Sequence, residues 1–360
     1  MTNEKNSTDQ LILSNSPHIK AGQSLNKIMW LVVISLIPAS FYSIYIYGFN
    51  ALLLILSSIG GAIIAEALFQ LFMKIPITIK DGSAVITGLL IAMNVPPESP
   101  IWMVVIGSFF AIIIVKQLFG GLGFNIFNPA LAARAFMLAS WPVHMTTDWH
   151  KFSSTNILAK KISNLSNISP EIFDTVTMAT PLGALKEIPN IFIDLNISLT
   201  PLYNLLFSME MFESLFIGNI GGCIGETSAL LLLIGGFFLL YKKIITWQIP
   251  VFYIGTFAIL MLLYYIFSGF PFFYRATLFH ILSGGLILGA FFMATDMVTT
   301  PITSKGMIIF GVGCGIIAFV IRIWGGYPEG VSYSILLMNA TVPLIDKYTK
   351  PRVFGKKNES

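Results

Sequence analysis

Charged residues are scarce in this 360-residue chain: they make up 11% of it, against about a quarter of a typical soluble protein. Hydrophobic residues account for 55%, and the mean hydropathy is +0.80. Lipid is therefore the expected solvent for most of the chain. The net charge of +4 is small and lies mainly in predicted loops and at the C-terminus. It indicates membrane orientation, and no nucleic-acid partner is expected.

Cysteine is nearly absent as well. Cys223 and Cys314 each lie inside an apolar stretch, and no CxxC or Cys/His spacing accompanies them. The sequence therefore predicts neither a cysteine-held iron–sulfur cluster nor any other metal site, and both thiols are expected to be small buried groups. We also expect no cleaved signal sequence, because residues 1–27 are polar and no small-residue cleavage site follows the first apolar run.

Long apolar runs fill the rest of the chain. A helix needs roughly 20 apolar residues to cross the hydrocarbon core, and about ten segments are candidates: 28–48, 51–73, 82–96, 101–119, 128–143, 223–241, 247–268, 276–294, 306–324 and 329–346. Segments 82–96 and 128–143 are short and interrupted by polar or small residues. Broken backbone at membrane depth must be shielded by protein or a cavity, so these two segments are predicted to be discontinuous helices.

Basic residues favour one side of the predicted spans. If the N-terminus is inside, the inner loops and the tail hold most of them, Lys74, Lys80, Lys116 and Lys242 among them, so both termini are predicted to be cytoplasmic. The long loop 144–200 follows five spans and therefore emerges outside. The predicted division is a cytoplasmic segment 1–27, a first membrane repeat 28–143, the extracytoplasmic loop 144–200, a second membrane repeat 201–346 and a cytoplasmic tail 347–360.

The two halves of the chain share weak sequence similarity. Lys116 precedes a glycine pair and then Asn128, while Arg322 precedes a glycine pair and then Asn339. Five spans in each half would insert the second half upside down. The sequence therefore predicts an all-α membrane protein of about ten helices in two inverted five-helix repeats, a layout that places ligand or ion sites near the bilayer midplane.

A polar segment, DTVTMATPLGALKE, interrupts this apolar chain at residues 174–187. Pro181 disfavours helical geometry at the residue before it and is itself well suited to the first position of a helix. Thr180 is thus predicted to cap a short helix that ends at Lys186 or Glu187. A phosphate on the Thr180 hydroxyl would lie in the positive field of that helix end. On spacing alone, a plain turn with a helix cap remains open.

The motif Asp174-x-x-Thr177-x-Ala179-Thr180 resembles the flavinylation motif of the RnfD and NqrB family. Met178 stands where the family commonly has glycine. The resemblance extends over nearly the whole chain, through the segments Ser16-Pro17-His18, Lys80-Asp81-Gly82-Ser83-Ala84-Val85, 120–130 (GGLGFNIFNPA), Gly225-Glu226-Thr227-Ser228 and Tyr327-Pro328-Glu329-Gly330.

This resemblance implies a membrane component of an ion-translocating ferredoxin:NAD oxidoreductase (Rnf) complex in a bacterial cytoplasmic membrane. It implies FMN bound to Thr180 by a phosphoester on the outer side, with Asp174 and Thr177 as the other motif residues. The implied partners are the Fe–S and flavin-bearing subunits of the complex, membrane lipid, a flavin transferase for maturation, and Na⁺ or H⁺. Whether a second, non-covalent flavin (riboflavin) binds is left open by the sequence.

Ionisable residues at membrane depth are functional candidates by default. Asp81 and Asp296 lie at predicted span ends and are interpreted as caps or local partners. Glu66 and Arg134 lie deeper, where mutual pairing or contact with a flavin is expected. Glu226 follows a glycine-rich break, and we expect it to face a flavin or an ion path.

Other functions stay open at this point. An NqrB-like component of a Na⁺-translocating NADH:quinone reductase would share the flavin loop, although the length of 360 residues is closer to that of RnfD. A urea-channel-like solute transporter would share the inverted repeats but needs no Asp174–Thr180 motif, and an assembly subunit would carry no cofactor.

Overall fold

The computed structural model describes residues 24–146, 180–186, 200–326 and 329–350. All regular structure in these residues is helical. Most of the predicted outer loop, including Asp174 and Thr177, lies outside the described residues. Thr180 and the short segment after it lie within them.

The first half of the chain contains long helices and short ones. Its elements are α1 (Leu25–Tyr47), α2 (Phe49–Phe72), a 3₁₀ turn (Ile79–Asp81), α3 (Ser83–Met93), α4 (Ile101–Gln117), α5 (Pro129–Ser140) and α6 (Pro142–Thr146). From Phe110 to Gln117, α4 is wound as a π-helix, a form that often marks functional sites. Both segments predicted to be discontinuous form short helices, and Asn128 caps α5 through its side chain.

Between the halves, α7 covers residues 181–186. The second half comprises α8 (Thr200–Leu206), α9 (Met209–Ile217), a 3₁₀ turn (Ile224–Glu226), α10 (Ala229–Tyr241), α11 (Gln248–Phe267), α12 (Phe273–Leu282), α13 (Leu286–Met293), α14 (Ser304–Trp324) and α15 (Val331–Thr349). The chain bends by 61° between α12 and α13, so the predicted span 276–294 is a broken helix.

Among the described residues, α1, α2, α11 and α14 are long and apolar enough to cross a membrane, and the bent pair α12–α13 makes a fifth such span. Four further apolar helices are shorter: α3, α4, α5 and α10. Large apolar side chains such as Phe41, Phe72 and Phe267 are exposed on the long helices. Because water would disfavour so much exposed apolar surface, this distribution is that of a membrane protein.

Glycines let the helices approach closely in both halves. A Cβ on Gly88 of α3 would lie 2.7 Å from the Ile59 Cα of α2, and one on Gly315 of α14 would lie 2.8 Å from the Tyr253 carbonyl oxygen of α11. Small residues at such crossings permit the tight packing on which helix association in lipid depends. Any larger side chain at either position would force these helices apart.

Asn128 and Asn339, which follow the glycine pairs in the two halves of the sequence, contact each other in the structure. With the Asn339 amide turned so that both of its polar atoms are satisfied, its side-chain oxygen accepts a hydrogen bond from the Asn128 N–H at 3.0 Å. The Asn128 amide also donates to the Met293 carbonyl at 3.2 Å. This contact joins the start of α5 to α15 and to the end of α13.

Candidate functional site

Arg134 of α5 holds a polar cluster inside the bundle. Its guanidinium contacts the Glu329 carboxylate at 2.5 Å, and both side chains are largely buried, 11% and 15% exposed. The same guanidinium donates to the Asn94 side-chain oxygen and to the Ser332 hydroxyl, each at 3.1 Å. Five donors on a planar group suit Arg to such convergent bonding. Glu226 lies beside the cluster, because a Cβ on Gly285 would lie 3.5 Å from Glu226 Oε1 and 3.9 Å from Arg134 NH1.

Glycines make room for the two carboxyl groups. A Cβ on Gly284 would lie 2.9 Å from Glu329 Oε1, and one on Gly222 would lie 3.1 Å from Glu226 Oε2. Gly284 has φ of +73°, which a residue with a side chain rarely adopts. The glycine-rich break that precedes Glu226 in the sequence therefore leaves room for the Glu226 carboxyl, and Gly284 leaves room for that of Glu329.

Thr180 caps α7, as the sequence predicts. Its hydroxyl oxygen accepts from the Gly183 N–H at 3.1 Å, and its carbonyl accepts from the Ala184 N–H at 2.7 Å. The helix runs from Pro181 to Lys186. Thr180 itself stays partly exposed, whereas Leu182 and Ala184 are buried.

Helix α7 lies directly against the polar cluster. A Cβ on Gly284 would lie 2.6 Å from Leu182 Cδ1 and 3.4 Å from an Arg322 NH2 nitrogen, as well as close to Glu329. At the far end of α7, the Lys186 ammonium donates to the Gly325 carbonyl. Leu182 of α7 and the Glu329 carboxylate thus both approach the same glycine, Gly284.

Arg322 is a buried cation with donors to spare. It is 5% exposed, its guanidinium carbon lies 4.9 Å from the centre of the Phe257 ring, and one NH1 group donates to the His280 carbonyl. Its Nε and NH2, together with His280 Nδ1, have no hydrogen-bond partner among the described residues. Buried N–H groups are normally paired, and the Arg322 NH2 lies close to α7, 3.4 Å from the Gly284 Cβ position that Leu182 also approaches.

A second buried ion pair lies toward the opposite end of the bundle. Lys116 donates to Glu66 Oε1 at 2.8 Å and to the Ser83 hydroxyl at 2.6 Å, and the two charged side chains are 2% and 1% exposed. The Gln117 amide also donates to Glu66 Oε1 at 2.8 Å. Converging donors on one oxygen hold the carboxylate in place.

These partners correct two expectations. Glu66 and Arg134 do not pair with each other: each has a partner of its own, Lys116 and Glu329. Lys116 is not a loop charge but a fully buried residue of the π-helical segment of α4. The inner loops therefore hold one basic residue fewer than the sequence analysis assigned to them. Sequence reasoning also missed Arg322, although the shared pattern of a cation before a glycine pair marked both residues.

Asp81 and Asp296 have the local roles expected of them. Asp81 Oδ1 accepts from the Ser83 N–H at 2.8 Å and from its hydroxyl at 2.7 Å. Asp296 accepts from the Val298 N–H at 3.4 Å and the Thr299 hydroxyl at 3.2 Å. Burial raises the pKa of the Asp296 carboxyl, and these two hydrogen bonds oppose that rise. Both cysteines are buried free thiols, also as expected.

A cavity opens beside Lys116, at the end of the bundle where α1 begins. Its volume is about 90 Å³, several times the roughly 10–15 Å³ that one water molecule requires. Its polar lining residues are Ser83, Thr87, Lys116, Asn125, Asn128, Thr295 and Asp296. Apolar side chains of α1, α3 and α13 complete the wall, so the cavity suits a ligand with one polar edge and one apolar edge.

The chain matches the model of the family described as NQR2, RnfD, RnfE over residues 12–355. A protein of Clostridium ljungdahlii, named as the D subunit of a proton-translocating ferredoxin:NAD(+) oxidoreductase complex, is 46% identical over 353 residues, covering 96% of each chain. The D subunit of the corresponding Na(+)-translocating complex of Acetobacterium woodii is also 46% identical, over 96% of this chain and 95% of that one. The D subunit of an ion-translocating oxidoreductase complex of Aliivibrio salmonicida is 39% identical, over 96% and 98%.

Proposed function

The chain belongs to the NQR2, RnfD, RnfE family, and from that premise we propose that it is the membrane-embedded RnfD component of an ion-translocating ferredoxin:NAD oxidoreductase complex. The names of relatives that are 46% identical over 96% of the chain support this role. Those two relatives are named for different ions, so overall similarity leaves the choice between H⁺ and Na⁺ to particular residues. The expected partners are the other Rnf subunits, membrane lipid and the transported ion.

For the membrane layout, we propose ten spans in two inverted repeats, with both termini in a bacterial cytoplasm and residues 144–200 outside. The close crossings of α2 with α3 and of α11 with α14, each made at a glycine, support a repeated arrangement. So do the buried cations near the ends of α4 and α14, Lys116 and Arg322. Each of these two cations contacts a long helix of its own half, at Glu66 or at Phe257.

The layout predicts the results of reporter fusions. Alkaline phosphatase fused at Asn156 is expected to be active because that position lies outside, and a fluorescent protein fused after Lys357 is expected to fluoresce because the tail lies inside. Exchanging the two reporters provides the control, since each should then be silent. An active phosphatase on the tail together with a fluorescent fusion at Asn156 would reverse the orientation.

We further propose that Thr180 carries FMN through a phosphoester. The observation that supports this most is the buried Arg322 guanidinium: its Nε and NH2 have no hydrogen-bond partner among the described residues, and its NH2 lies near the Gly284 Cβ position that Leu182 of α7 also approaches. A phosphodiester or a flavin ring edge would offer the oxygen and nitrogen acceptors that these donors lack. The hydroxyl of Thr180, a partly exposed residue, would provide the attachment point, and Asp174 and Thr177 complete the proposed motif.

In this site the protein holds, orients and tunes the cofactor. Bound FMN supplies transfer of one or two electrons. Thr180 fixes its phosphate end, α7 is anchored by Leu182 and Lys186, and the Arg322 guanidinium places a buried positive charge beside the site. A fixed cation in a poorly solvated place favours a negative group next to it. Arg322 is therefore expected to stabilise the added negative charge when the cofactor is reduced.

Intact-mass measurement tests the attachment. The chain is purified after coexpression with a flavin transferase, and its mass is expected to exceed that of the polypeptide by one FMN less one water. An unmodified mass under these conditions would overturn the covalent flavin while leaving the family membership untouched.

The cavity beside Lys116 is the proposed place for a second, non-covalent flavin such as riboflavin. An isoalloxazine ring has an apolar edge and a polar edge, which matches the mixed lining of the cavity. The amides of Asn125 and Asn128 and the Lys116 ammonium would face the polar edge.

Blocking this cavity should release the second flavin selectively. Thr87 lines it, and Thr87→Phe is expected to lower the flavin extracted by acid at least tenfold, because the larger ring occupies the cavity. Thr87→Val keeps the shape of the side chain and should bind as the wild type does. Covalent flavin on Thr180 should be the same in all three proteins. If wild-type protein releases no flavin into acid, no second flavin is present.

A further inference from the structure

Three short helices end or begin at one place inside the bundle. Asn94 ends α3, Asn128 begins α5 and Met293 ends α13, and all three residues are buried. Broken helices at the contact between two repeats are where transporters and channels place the path for their ions or solutes. The contacts at this place therefore decide whether the centre of the chain can conduct.

A continuous line of contacts runs from the cavity at the α1 end of the bundle through this place to Glu329. The Asn128 side chain, which lines the cavity, donates to the Met293 carbonyl at 3.2 Å. The Asn94 amide nitrogen lies 3.7 Å from Met293 Sδ, and the Asn94 side-chain oxygen accepts from Arg134 NH1 at 3.1 Å. Arg134 then contacts Glu329. Side chains and backbone thus occupy the route that a pore between the two halves would take.

Two contacts between the halves close this route. Nearer the cavity, the Asn128 N–H donates to the Asn339 side-chain oxygen at 3.0 Å. Nearer α7, Arg134 and Glu329 form a largely buried ion pair at 2.5 Å, and Arg134 also donates to the Ser332 hydroxyl at 3.1 Å. Within the described residues, none of these five has a buried side-chain nitrogen or oxygen without a hydrogen-bond partner. Polar groups that satisfy one another need no bridging water.

We propose that the Asn128–Asn339 contact and the Arg134–Glu329 pair form a central seal, which keeps water, ions and small solutes from crossing the middle of the chain. An ion entering this route would have to leave its hydration shell and break a buried ion pair, and both steps are costly. The central seal separates this chain from a solute channel with the same repeats. It goes beyond the proposed function and does not depend on the flavin, and it requires the transported ion to cross the membrane elsewhere in the complex.

Proteoliposomes of the purified full-length chain test the central seal. Entry of urea, Na⁺ and H⁺, measured by stopped-flow light scattering and with fluorescent indicators, is expected to match that of protein-free vesicles. The triple variant Arg134→Ala/Glu329→Ala/Asn339→Ala removes both contacts without leaving an unpaired buried charge, and entry of urea and Na⁺ should rise at least tenfold. Tyr253→Phe/Ser334→Ala removes a buried hydrogen bond between α11 and α15 that lies outside the two contacts, and it should stay as tight as the wild type.

A native thiol provides a second measurement if the triple variant does not elute as a monodisperse protein. Cys223 is buried, and its Sγ lies 3.9 Å from Arg134 NH2. Arg134→Gln/Glu329→Gln keeps most of the bulk but breaks the ion pair. The rate at which a charged methanethiosulfonate reagent modifies Cys223 should therefore rise at least tenfold in this variant. Cys314, the buried thiol of α14, should stay unmodified.

Each outcome gives a decision. Tight wild-type vesicles together with a leaking triple variant, or with faster Cys223 modification in the glutamine variant, support the central seal. Wild-type chain that admits urea, Na⁺ or H⁺ faster than empty vesicles overturns it. So does a monodisperse triple variant that stays tight, or an unchanged Cys223 rate where the glutamine variant is the one measured. None of these results depends on whether Thr180 carries flavin, so the proposed function is tested separately.

Discussion

Replacement of Thr180 by Ala is expected to abolish in-gel flavin fluorescence and to return the intact mass to that of the bare polypeptide. The hydroxyl oxygen is the atom that would form the phosphoester, and alanine has none. Thr180→Ser keeps a hydroxyl at the same position and should retain at least part of the fluorescence. A fluorescent Thr180→Ala protein would show that the flavin is attached elsewhere.

The control for this variant must separate attachment from helix capping. Thr180 Oγ1 accepts from the Gly183 N–H at 3.1 Å, and loss of such a cap costs about 1 kcal/mol. Thr303 caps α14 in the same way, accepting from the Gly306 N–H at 3.0 Å. Thr303→Ala should therefore lose a comparable cap and stay fluorescent. If both alanine variants go dark, impaired folding rather than chemistry accounts for the loss.

The capping role and the cofactor role at Thr180 are compatible. The proline at 181 and the cap are readable from the sequence, because both follow from local backbone preferences. The unpaired N–H groups of Arg322 among the described residues are not readable in this way, because they depend on which helices pack around them. Local rules thus predicted the short helix, and tertiary packing supplied the reason to expect a ligand beside it.

For the membrane helices too, local sequence predicted some features and tertiary packing determined others. Apolar length predicted α1, α2, α11 and α14 within a few residues, and interrupted segments predicted the short helices α3 and α5. The 61° bend between α12 and α13 lies at Ser283-Gly284-Gly285, so the sequence does contain a signal for this break. The π-helical turns of α4 contain neither proline nor glycine, and the sequence gives no comparable signal for them.

Charge pairing was the least predictable part of the site. Glu66 and Lys116 are 50 residues apart and lie on different helices, and Arg134 meets Glu329 across the two halves of the chain, 195 residues away. A sequence identifies such residues as costly in lipid but does not state which of several opposite charges is the partner. The expected Glu66–Arg134 pair failed for this reason: both residues are deep, but they belong to separate clusters.

Replacement of Lys116 by Met is expected to cost about 3–5 kcal/mol of stability, because it leaves the Glu66 carboxylate buried without its cation. Glu66 is 1% exposed, and its Oε2 already has no hydrogen-bond partner among the described residues. The double variant Glu66→Gln/Lys116→Met should recover most of the loss, because a neutral amide replaces the unpaired charge.

The thermal midpoint of the detergent-purified chain, read as loss of the monodisperse peak, measures both effects. Lys305→Met removes a lysine that is exposed at the start of α14 and should leave the midpoint within error. A single variant as stable as this control would mean that water or another cation reaches Glu66. The carboxylate would then belong to a hydrated path through the bundle, and the Lys116 pair would be one of its states. Recovery in the double variant would instead show that the Glu66–Lys116 ion pair excludes water and joins α2 to α4 in a structural role.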